Sequence, residues 1–333
     1  MKIAVIGTGM WGTTLAVMLS GRGLETFLWA RTAEEAARLE KARENEVFLP
    51  GIRFPDCLRV TDSLGEAAIG AGLVLLVVPA QRMRGNVAAL RDYLSPHTVV
   101  VSGAKGLETE TCLRMSEVIA QELPSSLSSG VVALSGPNIA GEIARGLPAT
   151  TVVAGRDAER VAVAQRVLAS PTFRVYSNTD IVGVELGGAL KNVVALAAGI
   201  CDGLRAGDNA KAAIVTRGLA EMARLGVAVG AQALTFAGLA GLGDLVTTCV
   251  SPYSRNRRVG EQLARGRSLA EIQASTPMVA EGVMTTRAAC QLAARVGVDM
   301  PIALLMREVL FEGKSIQQAG AELMAREPKS EFY

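Results

Sequence analysis

Along the first half of the chain, short apolar runs rich in Val, Ile and Leu alternate with stretches of helical spacing. The runs fall at residues 2–6, 26–30, 73–78, 99–102, 131–134, 150–154 and 173–176. Residues 73–78 and 99–101 are apolar without alternation, so both faces of those strands must be covered. This rhythm predicts an α/β unit with a doubly wound, mostly parallel sheet. After Asp180 the texture changes to long Ala/Leu/Gly-rich stretches with helical spacing, broken at Gly203, Gly230, Gly241, Gly266 and the Thr276-Pro277 step. That part reads as all helix. The change predicts two domains, 1–179 and 180–333, and residues 125–129, nearly all serine, read as a surface loop.

Composition narrows the classes of partner. With 34 Lys+Arg against 32 Asp+Glu the formal net charge is +2, and no basic field of the kind that neutralises many phosphates is present, so nucleic acid is not an expected partner. Uninterrupted apolar stretches such as 73–80 and 193–200 are shorter than the roughly 20 residues of a membrane span. Met1-Lys2-Ile3 leads straight into a strand pattern without a signal peptide, so a cytoplasmic location is expected. Five scattered cysteines, Cys57, Cys112, Cys201, Cys249 and Cys290, contain no C-x-x-C pair. They read as reduced, mostly buried thiols, with neither a disulfide framework nor a metal site.

Gly7, Gly9 and Gly12 spell G-x-G-x-x-G directly after the first strand and at the mouth of a helix of about residues 10–20. Backbone N–H groups and the positive helix end would then face a dinucleotide's pyrophosphate, the arrangement of a Rossmann-type domain. An NAD enzyme carries Asp or Glu at the end of the second strand for the ribose 2′-hydroxyl; this chain has Arg31. A guanidinium forks onto a 2′-phosphate, which points to NADP(H), with NAD(H) left open.

His97, the sole histidine, sits in a turn before a strand and so at the sheet edge opposite the ligand side. A proton donor must come from Lys, Tyr or a carboxyl group. Lys191 and Asn192 follow Gly187-Gly188 in an otherwise apolar helix; two mid-helix glycines are costly and point to close approach of a ligand or another backbone. Asp244 lies on what reads as a glycine-bounded turn before a helix at 245–250, free to cap that helix or to pair with Lys191. Ser254, Arg255 and Asn256 open another helix, an arrangement suited to an anion. Lys105 and the segment Ser135-Gly136-Pro137-Asn138 follow the carboxyl ends of two strands.

Together these motifs resemble the bacterial-type NAD(P)-dependent glycerol-3-phosphate dehydrogenases. The resemblance runs from Lys2 to about residue 325 and rests on the glycine turn, Asn45-Glu46-Val47-Phe48-Leu49-Pro50, Lys105-Gly106-Leu107-Glu108, Ser135-Gly136-Pro137, Phe173-Arg174-Val175-Tyr176-Ser177-Asn178, residues 187–192, Thr216-Arg217-Gly218-Leu219-Ala220-Glu221-Met222, residues 240–245, residues 254–258 and Val279-Ala280-Glu281-Gly282. It implies reduction of dihydroxyacetone phosphate to sn-glycerol 3-phosphate, a glycerophospholipid precursor. Lys191 would carry the proton and Asp244 would orient it. Lys105, Gly136, Asn138, Lys191, Asp244, Ser254, Arg255 and Asn256 would surround the substrate. Met10, Trp11, Arg31, Lys105, Ala140, Arg255, Val279 and Glu281 would meet the coenzyme beside Gly7, Gly9 and Gly12. Asn138 departs from the family's usual Thr. Two rivals remain at this level: a 2-keto or 3-hydroxy acid reductase of the same architecture, and a non-catalytic NADPH-binding regulator. The large apolar helical part also suggests a homodimer.

Overall fold

The computed structural model of the chain describes residues 1–276, 279–328 and 330–331. Its strands, among the described residues, are β1 (Lys2–Ile6), β2 (Thr26–Trp29), β3 (Glu44–Asn45), β4 (Leu49–Arg53), β5 (Leu58–Thr61), β6 (Ala71–Leu76), β7 (Val99–Ser102), β8 (Val132–Ser135), β9 (Ala149–Ala154) and β10 (Phe173–Asn178). Eight of them form one sheet in the order β10-β9-β8-β7-β6-β1-β2-β5, and β3 with β4 makes a separate antiparallel hairpin. Ile3 to Ile6 and Leu73 to Leu76 have no accessible surface, as expected of central strands covered on both faces. Helix α1 (Met10–Ser20) follows β1 and α2 (Ala33–Ala42) follows β2.

The strand runs read from the sequence are all present, with ends shifted by up to two residues. Three further strands are not among them: β5, which pairs with β2, and the hairpin β3/β4. These are short and mix apolar with charged residues, so their pattern is weak. Pairing is parallel from β5 through β8, but β9 runs antiparallel to β8 and carries β10 with it. Residues 136–148, which join β8 to β9, spend themselves on the five-residue helix Ala140–Ala144. A helix that short rises about 7.5 Å, too little by itself to carry the chain back along a strand, which favours a reversed next strand. Residues 125–129, read as a loop, instead begin with a helical turn, Ser125–Ser128.

The C-terminal part, from Ile181 on, is helical. Its axis is the 24-residue helix Ile181–Leu204, longer than the separate apolar stretches of the sequence imply because Gly, Ala and Cys join them. By length and composition it could cross a membrane, yet 89% of its most apolar window is buried within the protein. It crosses the helix Arg255–Ala264 backbone to backbone: a Cβ on Gly199 would meet Arg257 O at 1.9 Å, and one on Gly260 would meet Leu196 O at 2.0 Å. The Thr276-Pro277 break cannot be placed, since Pro277 lies outside the described residues. Of the five cysteines, all free, Cys112, Cys249 and Cys290 are buried.

One buried carboxylate ties two of these helices. Glu221, on the helix Asp208–Ala228, accepts from Ile302 N at 2.8 Å and Ala303 N at 3.3 Å, the first free donors of the helix Pro301–Phe311. Burial pushes its carboxyl up to about 7, against the pull of the two donors. A raised acid binds its proton more tightly when folded, so its contribution to stability is lost as pH rises from the ordinary glutamate range through about 7. Glu221→Gln keeps an acceptor and has no proton to lose. Its urea midpoint relative to wild type should therefore increase between pH 5 and pH 8; a difference that shrinks would mean the helix end favours the charged form.

Candidate active site

The glycine turn is built to receive an anion. Gly9 is the N-cap of α1 with extended backbone and no side-chain cap, leaving the first N–H groups of the helix without an intrahelical partner. A Cβ on Gly9 would enter open space, whereas one on Gly12 would stand 2.0 Å from Gly7 O. Gly12 thus permits the tight turn, and Gly9 faces the room above it. The hairpin locks the turn from behind: buried Asn45 donates to Thr8 O at 2.8 Å and Thr13 Oγ1 at 2.9 Å. Trp11 Nε1 is buried without a partner. An open helix end, an unobstructed glycine and an orphaned indole donor fit a dinucleotide. Arg31 stands exposed just beyond β2, and Ala140 opens the short helix whose carbonyl accepts from Thr14 of α1.

Across the carboxyl ends of β7 and β8, Asp244 joins two lysines. Its Oδ1 lies 2.5 Å from Lys191 Nζ and its Oδ2 lies 2.7 Å from Lys105 Nζ, which also donates to Gly136 O at 2.9 Å. Lys191 further donates to Thr248 Oγ1 at 2.6 Å, and that hydroxyl donates on to Asp244 O. Lys191 and Asp244 are almost wholly buried. Burial, aided by the like charge of Lys105 and opposed by Asp244, lowers the Lys191 ammonium to about 8. The group is therefore a cation close to its titration point, held by acceptors on two sides.

The glycines before Lys191 are explained by contact. A Cβ on Gly187 would meet Ala240 O at 2.5 Å, and one on Gly188 would meet Ser135 Oγ at 2.5 Å. The helix therefore lies against both the sheet end and residues 239–243. Those residues, read as a turn, are instead π-helix running into the helix Asp244–Val250. Asp244 caps nothing; of the two roles open to it, pairing is the one realised. Asn256 Nδ2 donates to Asn192 Oδ1 at 2.8 Å, and its Oδ1 accepts from Gly282 N at 3.0 Å, which binds three helices at one point.

Other expected residues sit less simply. Ser254 spends its hydroxyl on Arg257 N as a helix cap. Arg255 has no hydrogen-bond or ion-pair partner among the described residues. Glu281, at the start of the helix Glu281–Val296, accepts from Ala80 N at 3.3 Å and lies close enough to Arg255 for their charges to interact; Val279 is exposed nearby in sequence. Asn138 turns to β9, donating to Thr150 O at 3.2 Å and accepting from Thr151 Oγ1 at 3.0 Å, away from the Lys191 group. His97 is exposed on the turn before β7. Asn45 enters the sequence reading only within the motif 45–50, with no role of its own, and Thr248 does not enter it; the spacing Asp244-x-x-x-Thr248, one helical turn, is the signal for the latter.

Comparison with known proteins agrees with this geometry. The family model described as NAD-dependent glycerol-3-phosphate dehydrogenase N-terminus matches residues 2–161, and its C-terminus counterpart matches residues 180–321. A curated relative named glycerol-3-phosphate dehydrogenase [NAD(P)+], from Chlorobium limicola, is 51% identical over 333 residues, covering 100% of both chains. The crystal structure of glycerol-3-phosphate dehydrogenase from Coxiella burnetii superposes with a TM-score of 0.93 at 36% identity, covering 98% of this chain and 99% of that one. A ketopantoate reductase structure from Ralstonia eutropha JMP134 shares only the fold, with TM-score 0.62 and 17% identity over 93% of this chain and 97% of that one. The chain belongs to the NAD-dependent glycerol-3-phosphate dehydrogenase family.

Proposed function

We propose that the chain reduces dihydroxyacetone phosphate to sn-glycerol 3-phosphate at the Lys191–Asp244–Lys105 cluster, reversibly, supplying glycerophospholipid synthesis in the cytoplasm. The observation that carries this reading is the buried Lys191 ammonium held by Asp244 and Thr248 at the carboxyl end of the sheet. Bound NAD(P)H supplies the hydride. Lys191 donates its proton to the oxygen of the reacting carbonyl, where negative charge develops. Asp244 keeps Lys191 protonated and aimed, and Lys105 adds a second positive charge beside it. Arg255, with no hydrogen-bond or ion-pair partner among the described residues, and Asn256 at the same helix start would hold the phosphate beside Gly136 and Ser254, and Asn138 would join them by turning back from Thr150 and Thr151. Gly7, Gly9, Met10, Trp11 and Gly12 would hold the coenzyme with Arg31, Ala140, Val279 and Glu281, while Lys105 and Arg255 would face both ligands. In this reading residues 1–179 are the dinucleotide-binding domain and 180–333 the substrate domain. A homodimer is supported by the exposed apolar stripe Leu242, Val246 and Val250 on one helix face.

Turnover of dihydroxyacetone phosphate, but not of 2-keto acids, followed by NADPH absorbance, tests the reading as a whole. Lys191→Ala should lower kcat by about 10²–10⁴-fold, as for a lost general acid. In wild type, reduction should slow as pH rises through about 8, because Lys191 must hold a proton to give one. A variant that keeps more than about a tenth of kcat removes Lys191 from the role.

Arg255→Ala should act on KM for dihydroxyacetone phosphate. Loss of a charge-assisted contact of about 1.5–3 kcal/mol corresponds to a rise of at least tenfold. An unmoved KM in steady-state kinetics would place the phosphate elsewhere.

Coenzyme choice is tested by Arg31→Asp. The wild type should use NADPH well; the variant should shift the ratio of kcat/KM values towards NADH, and the shift should shrink with added salt. Equal ratios in the two proteins would take the 2′ position away from Arg31.

A further inference from the structure

Thr32-Ala33-Glu34-Glu35 has the Thr-x-x-Glu spacing of a reciprocal capping box at the start of α2. Half of the box forms: Glu35 N donates to Thr32 Oγ1 at 3.2 Å. The carboxylate does not complete it. Glu35 Oε1 instead accepts from Thr8 Oγ1 at 2.6 Å, 27 residues back, in the middle of Gly7-Thr8-Gly9. Thr8 is buried and Glu35 half-buried, so a carboxylate stands against the glycine turn, and no cation among the described residues pairs with it. Four residues earlier Arg31 is exposed and likewise unpaired.

In sheets of this topology the acceptor for the adenosine ribose 2′-hydroxyl is an acidic side chain about 20 residues after the glycine turn, at the end of the second strand. Arg31 occupies that place here. The carboxylate that reaches the turn comes from Glu35, one helical turn further on, and is held there by Thr8. Two opposite charges therefore come from one short segment after β2, Arg31 exposed at its start and Glu35 held against the glycine turn. Each suits one of two groups that differ only at the ribose 2′ position, a hydroxyl that needs an acceptor and a dianionic phosphate that needs donors.

We propose that Glu35 is a coenzyme-specificity residue, accepting from the 2′-hydroxyl of NAD(H) and repelling the 2′-phosphate of NADP(H), in opposition to Arg31, with Thr8 as its positioning residue. The proposal rests on the dinucleotide reading of the glycine turn. It gives a physical reason for a site that accepts both coenzymes: attraction and repulsion at the phosphate partly cancel, while the hydroxyl keeps an acceptor.

The test isolates the 2′ position and needs no turnover. Binding of 5′-AMP and of adenosine 2′,5′-bisphosphate (2′,5′-ADP), which differ only in the 2′-phosphate, to the full chain is measured by titration calorimetry at two salt concentrations. Glu35→Gln keeps an acceptor for Thr8 and removes the charge. It should raise the preference for 2′,5′-ADP over 5′-AMP by about five- to tenfold, less at high salt, as expected for one charge near a surface. Arg31→Asp should move the same ratio the other way. Thr8→Val, which frees the carboxylate without removing it, should move the ratio in the direction of Glu35→Gln and by less. An unchanged ratio in Glu35→Gln, or equal weakening of both ligands as from a purely structural role, overturns the proposal. A wild-type chain that binds neither ligand overturns the dinucleotide reading itself.

Discussion

Most of the site depends on one carboxylate with too little water to screen it. Asp244 is nearly inaccessible and meets an ammonium on each oxygen. A lone buried carboxylate would be costly, and buried Lys191 beside half-buried Lys105 would be costlier; together the three leave a single net positive charge. That excess suits a reaction in which an alkoxide develops. It also makes the cluster a poor candidate for dissection by single charge removals, because deleting Asp244 would leave Lys191 and Lys105 facing each other without a counter-charge. Thr248 adds a neutral acceptor that holds the Lys191 head without cancelling its charge.

The surrounding framework exists to bring distant segments to that carboxylate. Lys105 comes from beyond β7, Lys191 from the long central helix, and Asp244 and Thr248 from the helix after the π-turn. Small residues let these supports approach at backbone distance: the helix bearing Lys191 rests on Ala240 O through Gly187 and on Ser135 through Gly188. Asn256 fixes the helix carrying Arg255 to Asn192, the neighbour of the central lysine. The group assigned to the phosphate and the group assigned to the proton are therefore referenced to the same point of the same helix.

Much of this was legible in the residues. Unalternating apolar runs identified the central strands, because covered strands have no polar face to show, and the turn from Gly7 to Gly12 exposed the dinucleotide side. Lys191 stood out as a charge in an apolar helix next to two costly glycines. The reversal of β9 was not legible, since it depends on how little helix fits between residues 136 and 148 rather than on the pattern of either strand. Nor were the roles of Asn138 and Glu35. Each side chain could reach two sites, and only the fold decides that Asn138 turns to Thr151 and Glu35 to Thr8. Thr248 was hidden for a different reason: a threonine on a helix facing inward looks the same in sequence whether it packs or accepts a proton donor.

The reversed strands also act as a ruler. Because β10 runs against β8, the chain leaves Asn178 level with Ala133, two residues short of Ser135, and the helix beginning at Ile181 runs over β9 and β8 before Gly188 reaches Ser135. Lys191 arrives at the strand tips ten residues, or about 15 Å, above that start. The position of the proton donor is thus set by counting residues in a rigid rod anchored at its foot by Asp180, whose carboxylate caps Gly183 and also accepts from Thr235. Adding or removing one residue between Asp180 and Gly187 would turn the lysine by about 100° about the axis and shift it by about 1.5 Å. Length in this segment is as much a part of the chemistry as residue identity.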